Sequence, residues 1–275
     1  MDGTVFLNTD SKMPLLGLGI YGSEGDHDTE YAIMDAVSAG YRMIDTAPVY
    51  KNEEGVARGI EQCAVSRKEL FITSKVWNTA QRLGDVRGAF ERSLERLHLD
   101  YVDLYLIHWP VPGCYLSTWK ELEGIFESGR AAAIGVSNFQ IHHLEELKKV
   151  SGIVPAVNQI ECHPLCYPKA LHEYCKTNGI VLQAYAPLAR GAYLDHDVMC
   201  VIATKYGRTP AQIGLRWMVQ KGISVIPKSV HRERIIENAG IFDFTISDED
   251  MAIIDTLNED LHTSGVPEDL RGIPL

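Results

Sequence analysis

The fold is decided by a short apolar run that ends on a histidine, Val102-Asp103-Leu104-Tyr105-Leu106-Ile107-His108. Two earlier runs have the same form and also end on a polar residue: Tyr41-Arg42-Met43-Ile44-Asp45 and Leu70-Phe71-Ile72-Thr73-Ser74-Lys75. Apolar runs of this length, flanked by helical patterns, are typical of buried parallel strands. Because the downstream ends of barrel strands meet at one rim, we expect Asp45, Lys75 and His108 to lie close together there.

Strand-like and helix-like segments alternate along the whole chain, which predicts a parallel sheet. The predicted strands are Leu15–Leu18, Met43–Asp45, Leu70–Lys75, Val102–His108, Ala131–Val136, Ala156–Ile160, Ile180–Ala184 and Ser224–Ile226. Eight strand-then-helix units in 275 residues favour a closed (β/α)₈ TIM barrel over an open doubly wound sheet. A hairpin over Thr4–Leu7 and Lys12–Pro14 could close the bottom, and Ala211–Gln220 and Glu249–Leu257 predict extra helices. We therefore expect one α/β domain over residues 1–275.

The overall charge excludes some classes of partner. The chain has 26 Lys and Arg against 37 Asp and Glu, a net charge of −11, which argues against a nucleic-acid or anionic-membrane surface. No apolar stretch approaches the eighteen or so residues of a membrane span, and the start lacks the features of a signal peptide. Six cysteines in a chain of this length suit a reducing cytoplasm rather than a disulfide framework. We expect a cytoplasmic protein, and nothing demands more than a monomer.

The residues Asp45, Tyr50, Lys75 and His108 together suit the reduction of a carbonyl group. Such a reaction delivers a hydride to carbon and needs a proton for the developing alkoxide. Tyr50, in the loop after Asp45, can donate that proton, and a nearby cation such as Lys75 makes its phenolate easier to form. Asp45 would hold Lys75 charged, and His108 would orient the carbonyl, so no metal is expected. Singly, each residue could instead be a loop cap, a solvated strand end or a packing residue.

Six motifs extend this pattern along the chain. They are Asp45-Thr46-Ala47-Pro48-Val49-Tyr50, Ile72-Thr73-Ser74-Lys75, Leu104-Tyr105-Leu106-Ile107-His108-Trp109-Pro110, Gly135-Val136-Ser137-Asn138-Phe139, Asn158-Gln159-Ile160-Glu161-Cys162-His163-Pro164 and Ile226-Pro227-Lys228-Ser229. In this order, from about Met13 to Asn258, they resemble the aldo-keto reductase superfamily. The resemblance implies a (β/α)₈ barrel that reduces aldehydes and ketones with NADPH. It also implies Tyr50 as general acid, Asp45 and Lys75 as the pair that tunes it, and His108 as the orienting residue.

The same resemblance implies a cofactor site along the later strand ends. Ser137, Asn138 and Gln159 would hydrogen-bond the nicotinamide carboxamide, and Tyr185 would stack on the ring. Leu188 and Gly191 would lie in the loop over the pyrophosphate. Within that loop Ala189 stands where glycine is frequent in relatives, which is a departure from the family pattern.

The most basic short stretch of this acidic chain is Lys228-Ser229-Val230-His231-Arg232-Glu233-Arg234. Two cations and a hydroxyl at the start of a helix suit a phosphate dianion. By resemblance, Lys228, Ser229 and Arg234 would hold the adenosine 2′-phosphate, and Asn238 would lie near the adenine. This favours NADPH over NADH, whereas the simpler alternative is a solvated helix start.

Aromatic residues after three strands, Tyr21, Trp77 and Trp109, could wall an apolar substrate pocket or could be loop anchors. The connection after Trp109 is short, and the chain ends soon after Leu257. Both features predict an open pocket of the bacterial type, which resembles the 2,5-diketo-gluconate reductases and prostaglandin F synthase-like members. The expected partner is a small carbonyl substrate.

Other patterns support alternative functions less well. Gly17-Leu18-Gly19-Ile20-Tyr21-Gly22 spells a dinucleotide-binding fingerprint, but the helix that this motif needs does not begin within it. Cys162-His163 with Cys166 has a loosely metal-like spacing without a second cluster. A regulatory barrel that binds NADPH without catalysis would not need all four rim residues. A metal-dependent hydrolase would need more histidines and carboxylates at strand ends.

Overall fold

The computed structural model describes residues 3–23 and 26–275, and it confirms the predicted (β/α)₈ barrel. Eight strands of the described residues form one parallel sheet, in which each strand pairs with its neighbour in the chain. They are β3 Leu18–Gly19, β4 Met43–Asp45, β5 Phe71–Val76, β6 Val102–Ile107, β7 Ala131–Ser137, β8 Val157–Glu161, β9 Val181–Tyr185 and β10 Ser224–Val225. A short antiparallel hairpin, β1 Thr4–Phe6 and β2 Lys12–Pro14, precedes them as predicted.

The first and last strands of the sheet meet, which closes the barrel. Isolated bridges join Leu16 to Val225 and Gly19 to Lys228, and the Gly19 amide donates to the Pro227 carbonyl at 3.2 Å. A Cβ added at Gly19 would lie 2.7 Å from the backbone oxygen of Ile226, so only glycine allows this approach. The glycine pattern that resembled a dinucleotide fingerprint therefore serves the barrel seam.

Helices cover the outside of the barrel. Those of the described residues are α1 Asp26–Ser38, α2 Glu53–Glu61, α3 Asn78–Leu83, α4 Val86–Leu97, α5 Tyr115–Glu127, α6 Ile141–Val150, α7 Lys169–Thr177, α8 Asp197–Tyr206, α9 Pro210–Gln220, α10 Arg232–Ala239 and α11 Asp248–Asp255. Helix α3 is absent from the sequence-based prediction, because six residues are too few for a periodic pattern. Among the described residues, no helix is long and apolar enough to cross a membrane.

Side chains alternate between the two faces of each strand, so the apolar side chains form one group outside the barrel and another inside it. In β6, Tyr105 and Ile107 pack outward against the helices, while Leu104 and Leu106 pack inside the barrel. The hairpin side chain Met13 is fully buried in the inner group, so the hairpin closes the barrel bottom.

The same alternation places polar side chains inside the barrel at the end opposite the hairpin. Beyond the inward Met43, Phe71 and Leu106, the inward residues at the rim are polar. These positions are Asp45, Lys75, His108, Ser137, Gln159 and Tyr185.

Candidate active site

The buried amine of Lys75 is the centre of the polar group at the rim. Its Nζ lies 2.6 Å from Asp45 Oδ1, 3.0 Å from the Thr46 carbonyl oxygen and 3.3 Å from Tyr50 Oη. An ammonium has three hydrogens, and these contacts use all of them. Tyr50 Oη therefore accepts from Lys75, and its own hydrogen is left to donate elsewhere.

Burial controls the ionisation of this group. It raises the pKa of Tyr50 well above 10, with further contributions from Asp45, so the phenol stays protonated at neutral pH. Burial also lowers the pKa of Lys75, which the adjacent Asp45 carboxylate opposes. The pKa of His108 falls well below 6.5 through burial and through the positive charge of Lys75. His108 is thus a neutral imidazole.

Aromatic rings pack against Tyr50 and its neighbour His108. The Tyr21 ring contacts Tyr50 edge-on with 5.1 Å between centroids, and the Tyr50 ring lies 5.8 Å from His108. Trp77 packs edge-on against His108 at 4.8 Å. Tyr21 is exposed, whereas Trp77 is half-buried, so the rings form one side of an open-topped cleft.

Trp109, the third aromatic residue predicted for the pocket, is buried in a separate apolar cluster. It packs with Val111 and Leu270, and Trp77, Val266 and Leu275 contact the same cluster. The C-terminal segment thus returns to the rim and adds a wall beside Trp77 and Trp109. This segment therefore forms part of the surroundings of the predicted pocket.

Ser137, Asn138 and Tyr185 form a connected group beside the catalytic candidates. Asn138 Nδ2 donates to the His108 carbonyl oxygen at 3.0 Å and to Ser137 Oγ at 3.1 Å. Its Oδ1 accepts from Tyr185 Oη at 2.7 Å. Asn138 adopts a φ of 65°, a conformation that asparagine tolerates better than most residues. The group leaves the half-buried Tyr185 ring at the rim, as a stacking surface requires.

Gln159 connects this group to Asp45. Its Nε2 donates to Asp45 Oδ2 at 2.7 Å and to Gln183 Oε1 at 2.7 Å. Because a carboxylate only accepts, Asp45 fixes which end of the Gln159 amide faces it. Gln159 Oε1 then remains an acceptor with no donor among the described residues. A free acceptor at this point fits the amino group of a nicotinamide carboxamide.

Gln183 and Ser224 extend the network below the rim, and sequence analysis did not identify either. Gln183 Nε2 lies 3.3 Å from Ser224 Oγ, whose hydroxyl donates to the Pro14 carbonyl oxygen at 3.1 Å. Both side chains are fully buried. A glutamine between Leu182 and Ala184 was the available signal, since an uncharged polar residue inside a core strand needs partners.

The loop after β9 holds three consecutive residues with positive φ: 49° at Ala189, 51° at Arg190 and 96° at Gly191. An L-residue with a side chain is strained in this region, which explains why glycine suits the position of Ala189. Leu188 is half-buried and packs against the core, so it anchors the loop. The chain adopts this conformation with alanine at position 189.

The basic stretch lies where β10 leads into α10. Lys228 and Arg234 are exposed, and neither forms an ion pair with a described residue, whereas Arg232 pairs with Asp35 at 2.5 Å. Ser229 and Asn238 are buried, and Ser229 Oγ accepts from the His231 amide at 3.1 Å. Two free cations beside a helix start fit a phosphate group.

Comparisons with known proteins identify the family of this chain. The model of the aldo/keto reductase family matches residues 16–259. The chain belongs to the aldo/keto reductase family. It is 51% identical over 267 residues to a glyoxal reductase of Bacillus subtilis, covering 97% of each chain. It is 46% identical over 250 residues to the methylglyoxal reductase DkgA of Yersinia pestis, covering 90% of this chain and 89% of that one.

A solved structure supports the same assignment. An aldo-keto reductase from a Medee basin deep-sea metagenome library superposes with a TM-score of 0.91 at 44% identity, covering 94% of this chain and 96% of that chain. As a member of the aldo/keto reductase family, the protein is an oxidoreductase that acts on carbonyl compounds.

Proposed function

We propose that this aldo/keto reductase reduces small aldehydes and ketones with NADPH and that Tyr50 supplies the proton. The observation that carries the proposal is the set of contacts around Lys75, which leaves the Tyr50 hydroxyl as a hydrogen donor. The names of the relatives make glyoxal and methylglyoxal the first substrates to test.

Each residue of the site would have a separate role in the reduction. The bound nicotinamide would supply the hydride. Tyr50 would transfer its proton to the carbonyl oxygen, and Lys75 would stabilise the resulting phenolate through the 3.3 Å contact. Asp45 would hold Lys75 in place, and His108, as a neutral imidazole, would direct the carbonyl oxygen toward Tyr50. The rings of Tyr21 and Trp77 would exclude water from one side.

Replacing Tyr50 by phenylalanine tests this assignment. Tyr50→Phe keeps the ring and its packing against Tyr21 and His108 but removes the proton donor. Because general acid catalysis contributes about 10²- to 10⁴-fold, we expect kcat for methylglyoxal reduction to fall by that factor. The affinity for NADP⁺, measured by fluorescence quenching, should change little. An unchanged kcat would show that Tyr50 is not the acid.

The choice of NADPH over NADH depends on the free cations near α10. We propose that Lys228, Ser229 and Arg234 bind the 2′-phosphate, with Asn238 beside the adenine. Hydrogen bonds to charged groups are worth about 1.5–3 kcal/mol, so Arg234→Ala should weaken NADPH binding by roughly tenfold to a hundredfold. NADH binding should be unaffected. Arg232→Ala, which removes a neighbouring cation already paired with Asp35, is the matched control. Equal losses for both nucleotides in Arg234→Ala would contradict the assignment.

Ser137, Asn138, Gln159 and Tyr185 complete the proposed nicotinamide site, and Leu188 and Gly191 would cover the pyrophosphate. We also propose that residues 1–275 form a single domain, which the packing of the C-terminal segment onto the barrel rim supports, and that the protein acts as a monomer. All six cysteines are unpaired, which supports a reducing compartment such as the cytoplasm.

A further inference from the structure

A cluster of metal-ligating side chains lies where the C-terminal segment crosses the loop between β8 and α7. Cys166 belongs to that loop, and Asp260 and His262 follow α11. One donor atom from each residue lies within 4.8 Å of the other two. We propose that Cys166, His262 and Asp260 form a site for a divalent cation of the zinc class.

The separations of the donor atoms are close to those of zinc coordination. His262 Nε2 lies 3.6 Å from Asp260 Oδ1. Cys166 Sγ lies 3.7 Å from His262 Nδ1 and 3.9 Å from Nε2, so the sulfur lies beside the ring and not in line with the Nε2 lone pair. Tetrahedral bonds of about 2.3 Å to sulfur and about 2.0–2.2 Å to nitrogen and oxygen require donors about 3.3–3.6 Å apart. The Nε2–Sγ and Nε2–Oδ1 distances exceed that range by at most about 0.3 Å. The His262 ring must also turn to direct Nε2 toward the sulfur, which its exposed position allows.

A buried carboxylate orients the histidine for this role. Glu161 Oε2 lies 3.1 Å from His262 Nδ1, and the Glu161 side chain is 3% exposed. Its other oxygen accepts from the Thr263 amide at 2.7 Å and the Ser264 amide at 3.0 Å, which holds the carboxylate in place. Because a carboxylate accepts a hydrogen, Glu161 places the His262 hydrogen on Nδ1 and leaves the Nε2 lone pair free to bind a cation. Metal-ligating histidines are commonly oriented in this way.

The donor set also determines the class of cation. A thiolate and a carboxylate neutralise a divalent charge, and a thiolate selects zinc over magnesium or calcium. Binding would convert the Cys166 thiol to a thiolate and release its proton to solvent. Cys166 is buried, while His262 and Asp260 are exposed, so water can fill the fourth position from the open side.

Such an ion would tie the C-terminal segment to the barrel. The segment continues from His262 to Leu270, which packs against Trp109 at the rim. Metal binding would therefore stabilise the wall beside the substrate cleft without contacting the catalytic candidates.

Titration of the full chain with Co²⁺ tests the proposal directly. We expect one Co²⁺ per chain, with thiolate-to-cobalt charge-transfer absorption in the near ultraviolet. Both Cys166→Ser and His262→Asn should abolish that absorption. Cys200→Ser, which removes the exposed cysteine, should leave it unchanged. Zn²⁺ should raise the Tm of the wild type but not of His262→Asn, and Mg²⁺ should raise neither.

Two variants separate metal binding from loss of folding. His262 is exposed, so His262→Asn should fold even if Cys166→Ser does not. Glu161→Gln keeps all three ligands but loses the carboxylate that orients His262, and it should weaken Co²⁺ binding by about 10- to 100-fold. The proposal is overturned if the wild type shows no thiolate absorption, or if the absorption survives His262→Asn and disappears in Cys200→Ser.

Discussion

The contacts of Lys75 explain how one side chain can prepare another for proton transfer. Its three hydrogens are donated to Asp45, the Thr46 carbonyl and Tyr50, so the amine is held in one orientation. Burial raises the pKa of Tyr50, which keeps its phenol protonated at neutral pH. In the proposed mechanism, the charge of Lys75 stabilises Tyr50 only after Tyr50 has given up its proton. The pair would thus favour the transition state over the resting state.

The pH dependence of the reaction follows from the neighbouring groups. Because burial and Lys75 lower the pKa of His108 well below 6.5, the imidazole stays neutral through that pH. The raised pKa of Tyr50 means that the acid is lost only in strongly alkaline solution. We therefore expect kcat/KM for methylglyoxal to show no inflection near pH 6.5 and to fall only at high pH. A pH-rate profile checks this, with His108→Gln as the comparison. An inflection near pH 6.5 that vanishes in His108→Gln would contradict the neutral imidazole.

Strand alternation explains which parts of the site could be predicted from sequence. Asp45, Lys75 and His108 end apolar runs, so their placement on one rim follows from local pattern alone. Gln183 could not be predicted in the same way, since its partners Gln159 and Ser224 belong to other strands. The register that pairs Gln183 with both of them comes from the closed sheet.

Gln183 on strand β9 holds Gln159, so replacing Gln183 tests the proposed nicotinamide site. Gln183→Leu removes the acceptor that holds one hydrogen of the Gln159 amide. Since a hydrogen bond contributes about 0.5–1.5 kcal/mol, NADP⁺ affinity should fall by about threefold to tenfold. The affinity for adenosine 2′,5′-bisphosphate, which lacks nicotinamide, should stay constant in calorimetric titrations.

A control variant separates this effect from general damage to the barrel. Ser224→Ala removes the lower end of the network but keeps the contact between Gln159 and Gln183. It should alter NADP⁺ affinity less than Gln183→Leu does. If Gln183→Leu weakens both nucleotides equally, then Gln183 supports the fold rather than the nicotinamide site.

The N-terminal hairpin covers the bottom of the barrel, and the C-terminal segment packs onto its rim. Only the hairpin could be predicted from the sequence. The N-terminal hairpin has alternating apolar residues around a turn, and its placement at the barrel bottom is confirmed. The segment after α11 is polar and irregular, so it carries no periodic signal. Its course over the rim depends on contacts distant in sequence, such as Leu270 with Trp109 and Glu161 with Thr263.

The C-terminal segment should therefore affect the substrate more than the cofactor. Leu270 is fully buried against Trp109 and Val111, and Leu270→Ala removes the side chain that holds the segment down. Because the segment can open locally while the barrel stays folded, we expect a several-fold higher KM for methylglyoxal with NADP⁺ affinity unchanged. Ile273→Ala, a partly exposed residue of the same segment, should leave KM unchanged. Hydrogen exchange should quicken in residues 263–275 of Leu270→Ala alone. If NADP⁺ affinity falls as much as KM rises, the segment supports the whole rim rather than the substrate wall.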